Sequence, residues 1–284
     1  MSNASTGATS RVLARVLQVA YACGPGRGSE PGVGWHRAVE TAKQFDVWVI
    51  CEKHEFVDSI RRWLDEHGTI PGLEFAFVPK LSWERRLERI PGLYYVIYNR
   101  WHRRAWRLAR RLHRRLRFDL VHQVNIAGYR EPGYLGELDV PLVWGPIGGT
   151  QNYPWRFLGE AGLVGGATEV LRTLANGCQL RFGGRIRRAL CRAAVVLASS
   201  STNQRDLARG RAVQPLLLCD IGVDRIDVRP RRSVGSGPLR ILWCGELTPR
   251  KALSLLIKAL ARLPGNVAYE LHVVGDGPMR GRWE

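Results

Sequence analysis

The chain has no apolar run approaching the roughly 18–20 residues that a membrane span requires. It also has no Cys-x-x-Cys pair among its six cysteines, Cys23, Cys51, Cys178, Cys191, Cys219 and Cys244. The first absence excludes a bilayer-crossing helix, and the second argues against a zinc ribbon or a thioredoxin-type redox site. Several cysteines lie in or at the ends of apolar runs, so reduced, mostly buried thiols in a cytoplasm are expected. A secretory leader is not expected at Arg11–Cys23, where Arg15 interrupts the apolar run and Tyr21 spoils a small-residue cleavage site. There is no Asp-x-Asp and no histidine cluster at ligand spacing, so neither a metal nor another cofactor is expected. Acidic residues are scarce: Asp+Glu 25 stand against Lys+Arg 43, a net charge of +18 and a pI near 10.5. Such a field attracts polyanions or anionic lipid surfaces; it selects a class of partner and not a chemistry.

What is present is an alternation. Continuously apolar runs at Val16–Cys23, Val47–Glu52, Leu73–Val78, Leu120–Val124, Pro141–Ile147 and Ala194–Ser199 read as strands buried on both faces. Helical stretches are expected at Trp35–Gln44, Glu55–His67, Arg85–Leu116 and Thr202–Arg209. This is the α/β pattern of a doubly wound, Rossmann-like parallel sheet. Residues 225–238, RIDVRPRRSVGSGP, are polar, basic and aperiodic and read as a linker. After it come a strand at Leu239–Cys244, a helix at Lys251–Leu263 and a strand at Tyr269–Val274. The expected organisation is a first domain over 1–224, the linker over 225–238, and an incomplete second Rossmann-like domain over 239–284. A single β-α-β unit of that size rarely buries enough surface to stand alone.

Two segments carry candidate phosphate chemistry. The glycine-rich stretch Gly24–Trp35, GPGRGSEPGVGW, leads from the first strand into a helix, where backbone N–H groups and the helix dipole favour an anion. It fails the dinucleotide pattern G-x-G-x-x-G, since a start at Gly24 puts Ser29 third and a start at Gly26 puts Pro31 there, which disfavours a nicotinamide oxidoreductase. A plain strand-to-helix connection with no ligand is the alternative. In Cys244–Leu263 the cations Arg250 and Lys251 sit at a helix start, where the dipole disfavours them; an anionic ligand or ordinary solvation would each account for them.

These residues, from Val16 onward, resemble family 4 of the retaining glycosyltransferases, of the GT-B fold. Gly32-Val33-Gly34 stands at the place of the family's loop that meets donor diphosphate or acceptor. CDIGVD resembles the turn Asn-Gly-Val-Asp at Gly222-Val223-Asp224, with Ile221 in place of Asn. Gly245-Glu246-Leu247 followed by Pro249-Arg250-Lys251-Ala252 resembles Gly-Arg-Leu and Pro-x-Lys-Gly, and VVGDGP at Val273–Pro278 resembles a Gly-x-Gly-Pro turn. The resemblance implies transfer of a hexose, with retention, from a nucleotide sugar to a hydroxyl acceptor, lipid-linked or polysaccharide. Lys251 would hold a donor phosphate, aided by Arg250 because the family's arginine is replaced by Glu246. Closure of two domains would complete the site, the helix start after Gly34 sharing the diphosphate charge. The family's glutamate pair would lie beyond Glu284, so donor binding by this polypeptide is expected to be incomplete. The stretch Pro141–Gly149 lacks the histidine that many members place near the reacting sugar.

Two further residues are candidates. His122, in DLVHQVN at the end of a strand, is the candidate catalytic residue: it would face the cleft if ligands bind outside the carboxyl ends of the strands, contacting acceptor or sugar through a hydrogen bond or proton transfer; a structural histidine is the alternative. Glu30, in the glycine-rich stretch, is a candidate for an acceptor hydroxyl. The segment Arg100–Arg117, RWHRRAWRLARRLHRRLR, places Trp101, Ala105, Leu108, Leu112 and Leu116 on one stripe with arginines around it. Either the stripe packs on the core and the arginines are solvated, or it lies on an anionic membrane surface. No DNA-recognition module is evident, so a specific nucleic-acid partner is not expected. The expected location is cytoplasmic, with peripheral attachment at the inner membrane face as an option. A non-catalytic membrane-surface or polyanion-binding protein is the competing class.

Overall fold

The computed structural model describes residues 13–222 and 237–283, apart from 89, 91, 92 and 210. Most of the 225–238 segment, and Val223-Asp224 of the turn motif, lie outside the described residues.

Seven parallel strands form one sheet: β1 (Arg15–Ala20), β2 (Asp46–Glu52), β3 (Leu73–Val78), β4 (Leu120–Asn125), β5 (Leu142–Ile147), β6 (Val195–Ala198) and β7 (Leu216–Leu217). Their order is β3-β2-β1-β4-β5-β6-β7. Pairing is parallel throughout, with Val16 opposite Val47 on one side and opposite Leu120 on the other. The order reverses between β1 and β4, which makes that place the switch point of a doubly wound sheet. The expected α/β class is what the structure shows.

The crossovers carry the helices α1 (Ser29–Ala42), α2 (Lys53–His67), α3 (Ser82–Leu87), α4 (Tyr94–Leu116), α5 (Gly162–Phe182), α6 (Gly184–Arg192) and α7 (Ser201–Ala208). Glu52 ends β2 and caps α2, its carboxylate accepting from Glu55 N at 2.8 Å, and Gly68 closes that helix at φ 86°. The core gathers where α4 crosses the sheet. Trp101 is fully buried, meets the Tyr21 ring edge-on at 4.9 Å, and donates from Nε1 to the Val78 carbonyl at 3.0 Å. Burial of an aromatic side chain of this size is worth roughly 2–3 kcal/mol, and its indole N–H loses nothing because it has a partner.

Several expectations are corrected. The expected helix Arg85–Leu116 is two helices, α3 and α4. The first helix begins at Ser29, six residues before Trp35, so Pro31, Gly32 and Gly34 lie inside it. The stripe Trp101, Ala105, Leu108, Leu112 and Leu116 packs on the core, which removes it from any membrane. Of the cysteines only Cys23 and Cys51 are buried; Cys178, Cys191, Cys219 and Cys244 are exposed, and all six are free thiols.

Contacts group the residues up to Gln151 with Gln179–Gly222 as one compact unit, and Asn152–Cys178 with the residues after Gly222 as another. The second unit contains β8 (Leu239–Cys244) and β9 (Tyr269–Val274), paired in parallel, with α8 (Leu253–Leu260) between them and α9 (Arg280–Trp283) after. The residues 152–178 are attached to it by ion pairs, Glu160 with Lys258 and Glu169 with Arg250. Among the described residues no helix is long and apolar enough to cross a membrane.

Candidate active site at the switch point of the sheet

The chain leaves β1 through buried Tyr21, Ala22 and Cys23 and turns into α1. The turn is closed by Gly24 N donating to the Pro31 carbonyl at 3.0 Å. Gly28 caps the helix in extended conformation and Ser29 takes φ 58°, a left-handed value. Gly32 and Gly34 are buried in α1, and their lack of a side chain is fully used: a Cβ on Gly32 would come within 2.3 Å of the Arg27 carbonyl oxygen, and one on Gly34 within 2.1 Å of that of Ala22. The physical reason for these glycines is close approach of the helix to the backbone that joins it to β1, at Ala22 and Arg27. The N–H groups that precede the first intrahelical bond are those of Gly28, Ser29 and Glu30, since Pro31 has none; Gly32 N pairs back to the Gly28 carbonyl, and Gly34 lies further into the helix.

The end of β4 locks this arrangement. Asn125 is buried, and its carboxamide accepts from Ala22 N at 3.2 Å while donating to the carbonyls of Ala22 at 2.6 Å and Glu30 at 2.9 Å. Behind it Ile126 N donates to the Tyr98 hydroxyl at 2.6 Å, and Ala127 N donates to Glu30 Oε1 at 3.0 Å. The other oxygen of Glu30, Oε2, is buried and has no partner. Burial raises the Glu30 pKa above the ordinary carboxylate value; the Ala127 N–H opposes this and the nearby Asp220 charge adds to it. A carboxyl with one oxygen held by a backbone N–H and the other buried without a partner has an unused acceptor position, and its raised proton affinity suits it to take a proton from a hydroxyl.

His122 lies within β4, opposite Gln18 and Val143. It is buried and its Nε2 is 2.8 Å from the Gly145 carbonyl oxygen. A carbonyl only accepts, so Nε2 carries the proton. Burial lowers the His122 pKa to about 4, against the opposing Gly145 bond and with the help of Arg37, so the ring is neutral at physiological pH. Arg37, on α1, is half-buried; burial lowers its pKa and the Asp220 charge works the other way. Asp220, beyond β7, thus acts on both Glu30 and Arg37.

In the second unit, Gly275 and Gly277 of the VVGDGP turn explain themselves by contact. A Cβ on Gly275 would lie 1.8 Å from the Gly245 carbonyl oxygen, and one on Gly277 would lie 2.7 Å from that of Leu247. Leu247 N also donates to the Asp276 carbonyl at 2.9 Å. Pro249–Lys251 form a single 3-10 turn ahead of α8. Arg250 is held by Glu169 through two bonds, Nε to Oε1 at 2.8 Å and Nη2 to Oε2 at 2.7 Å. The charge that seemed to call for a phosphate therefore has a carboxylate of the same unit as its partner. Lys251 is exposed.

The structure thus brings Glu30, Gly32 and Gly34 together at the switch point, puts His122 deeper in the same sheet, and carries Arg250 and Lys251 in the second unit. Sequence reasoning passed over Asn125, Tyr98, Arg37 and Asp220. The available signal for Asn125 was a polar residue closing an apolar strand, and Asp220 stands in the CDIGVD segment; Tyr98 and Arg37 are brought in by the fold and had no local signature. Among the described residues no group of histidine, cysteine and carboxylate side chains is arranged to hold a metal ion.

No family model matches the chain, and no curated protein does. Among solved structures it is similar to the lipopolysaccharide outer core galactosyltransferase WaaB in its apo form. That match has 16% identity and a TM-score of 0.53, and it covers 94% of this chain and 62% of that one. A Glycyrrhiza uralensis UGT73P12 complexed with glycyrrhetinic acid 3-O-monoglucuronide matches at 12% identity and a TM-score of 0.39, over 73% of this chain and 48% of that one. The chain therefore has the α/β fold of the GT-B type, over about 62% of the length of the WaaB chain.

Proposed function

We propose that the chain is a glycosyltransferase that moves a hexose from a nucleotide sugar to a hydroxyl acceptor, with retention of configuration as the family 4 motifs imply. The observation that carries this reading is the Glu30 carboxyl at the switch point, with Oε1 fixed by Ala127 N–H and Oε2 buried and unpartnered. In this reading Oε2 accepts the hydrogen of the acceptor hydroxyl. For retention, the acceptor oxygen bonds to the anomeric carbon on the same face from which the diphosphate leaves; as that bond forms and the bond to the diphosphate breaks, the hydroxyl proton passes to ionised Glu30, and the diphosphate departs with its negative charge. The raised proton affinity of Glu30 favours that transfer. The N–H groups at the start of α1 that precede the first intrahelical bond favour an anion there. Lys251 stands at the place of the family 4 lysine and, by that resemblance, is proposed as a donor-phosphate ligand. Asn125 is a positioning residue: through Ala22 and Glu30 it holds strand and helix in register. His122 serves as a neutral donor that fixes the Gly145 carbonyl beside the site.

The test is release of free nucleotide from a panel of uridine, guanosine, adenosine and thymidine diphosphate sugars in the presence of hydroxyl acceptors. The expected result is nucleotide release that falls by about 100-fold or more in Glu30→Gln, the usual cost of removing a general base. Lys251→Ala should weaken use of the donor. Absence of both binding and release with every nucleotide sugar would overturn the proposal and favour the non-catalytic, polyanion-binding class.

A further inference from the structure

The stripe of α4 that sequence reasoning offered to a membrane is spent on the core, yet the same corner of the first unit exposes a different apolar group. Trp83 on α3 is 44% exposed and Val96 on α4 is 55% exposed, with Leu87, Ile90 and Tyr95 also open to solvent. The two helices are tied together. The guanidinium of Arg100 stacks over the Trp83 ring at 4.9 Å, and Glu84, buried under it, accepts from Arg100 at 3.1 Å and from Arg104 at 2.9 Å. From Val96 the outward line of α4 continues through Arg100, Arg103, Arg107, Arg110 and Arg114, at spacings of four and three, over about 27 Å of helix. The helix has no carboxylate of its own. Among the described residues Arg107, Arg110 and Arg114 have no ion-pair partner.

We infer that this surface docks the protein on an anionic phospholipid bilayer. Trp83, Leu87, Ile90, Tyr95 and Val96 would enter the headgroup region while the arginine line lies along the phosphates. Charge complementarity argues for a polyanion, and the aromatic and aliphatic side chains beside the charge select a lipid surface over a nucleic acid, whose phosphate contacts need no Val, Ile or Leu. Neither signal would suffice singly; together they meet the requirement for two. The inference is independent of turnover and stands or falls separately from the transferase reading.

Flotation of the full chain with vesicles of phosphatidylcholine alone, and of phosphatidylcholine with phosphatidylglycerol, tests it. Binding is expected only with phosphatidylglycerol and should weaken as salt is raised. The triple change Arg107→Glu, Arg110→Glu and Arg114→Glu should weaken it about tenfold or more. Trp83→Ser with Val96→Ser should remove the part that resists salt. A control triple on α2, Lys53→Glu, Arg61→Glu and Arg62→Glu, changes net charge equally and should have little effect. If charge reversal on α4 unfolds the chain, as seen in its thermal melt, Gln at the same three positions replaces Glu. The inference is overturned if both triples weaken binding alike or if the two vesicle types bind alike. It is equally overturned if the chain binds single-stranded RNA and floats with neither vesicle.

Discussion

At Gly34 the space a methyl group would need is filled by the carbonyl oxygen of Ala22, 2.1 Å from the position of a Cβ, so relief requires moving backbone. Gly34→Ala is accordingly expected to destabilise the chain by about 2 kcal/mol or more, read as a lowered urea midpoint. The buried histidines predict a pH response. His102 and His122 both have pKa values lowered to about 4 by burial, the former against the pull of Glu131 and the latter against its Gly145 bond. The unfolded chain takes up protons at these sites below its ordinary histidine pKa while the folded chain does not. Stability therefore falls as pH drops from about 6.5 towards 4, each ring contributing up to about 3 kcal/mol. Denaturant unfolding at stepped pH should show that slope, reduced in His122→Asn. Glu30 runs the other way. Its pKa is raised, so the native state holds the proton longer than the unfolded one, and stability falls as pH rises through the carboxylate range. Glu30→Gln should thus melt no lower than the native chain at neutral pH while losing turnover; a large drop in melting temperature would show a structural residue instead.

The two helices that replace one long expected helix owe their join to a buried carboxylate. Burial works against ionisation of Glu84, but hydrogen bonds from Arg104, from Leu81 N and from Arg100 outweigh it and hold the group below the usual carboxylate range. Its stabilising effect is present above the unfolded carboxylate pKa and is lost as pH falls through the lower folded value. Glu84→Gln should cost about 3 kcal/mol at neutral pH, with the two unfolding curves converging in strong acid. Strands were legible where apolar runs are continuous: Leu73–Val78, Leu239–Cys244 and Tyr269–Val274 fall where expected. The start of α1 was not legible, because Pro31, Gly32 and Gly34 read locally as loop formers and only the contact with Ala22 and Arg27 explains them. α5 escaped for a related reason: it opens with Gly-Leu-Val-Gly-Gly and leaves Leu163, Val164, Leu171 and Leu174 exposed, so no buried stripe marks it. The switch point itself follows from strand alternation, whereas the Asn125 clamp joins positions about a hundred residues apart in sequence and has no local trace.

Over the whole molecule, +18 of net charge is spread on a chain whose arginines outnumber their partners. Mutual repulsion of this kind weakens the compact state and is relieved by counter-ions. The thermal midpoint should rise when sodium chloride is increased from about 10 mM to about 150 mM, and a calorimetric scan at both concentrations checks it. An unchanged or lower midpoint would mean that the repulsion is already offset locally, as at Glu84 and Glu169. The seven-stranded sheet carries one more consequence. Every pair in it is parallel, so no two strands can meet through a tight turn, and each edge waits for a crossover to be laid down before it is covered. Renaturation from urea should consequently be slow and concentration-sensitive, with aggregation competing while β1 and β4, far apart in the chain, search for one another.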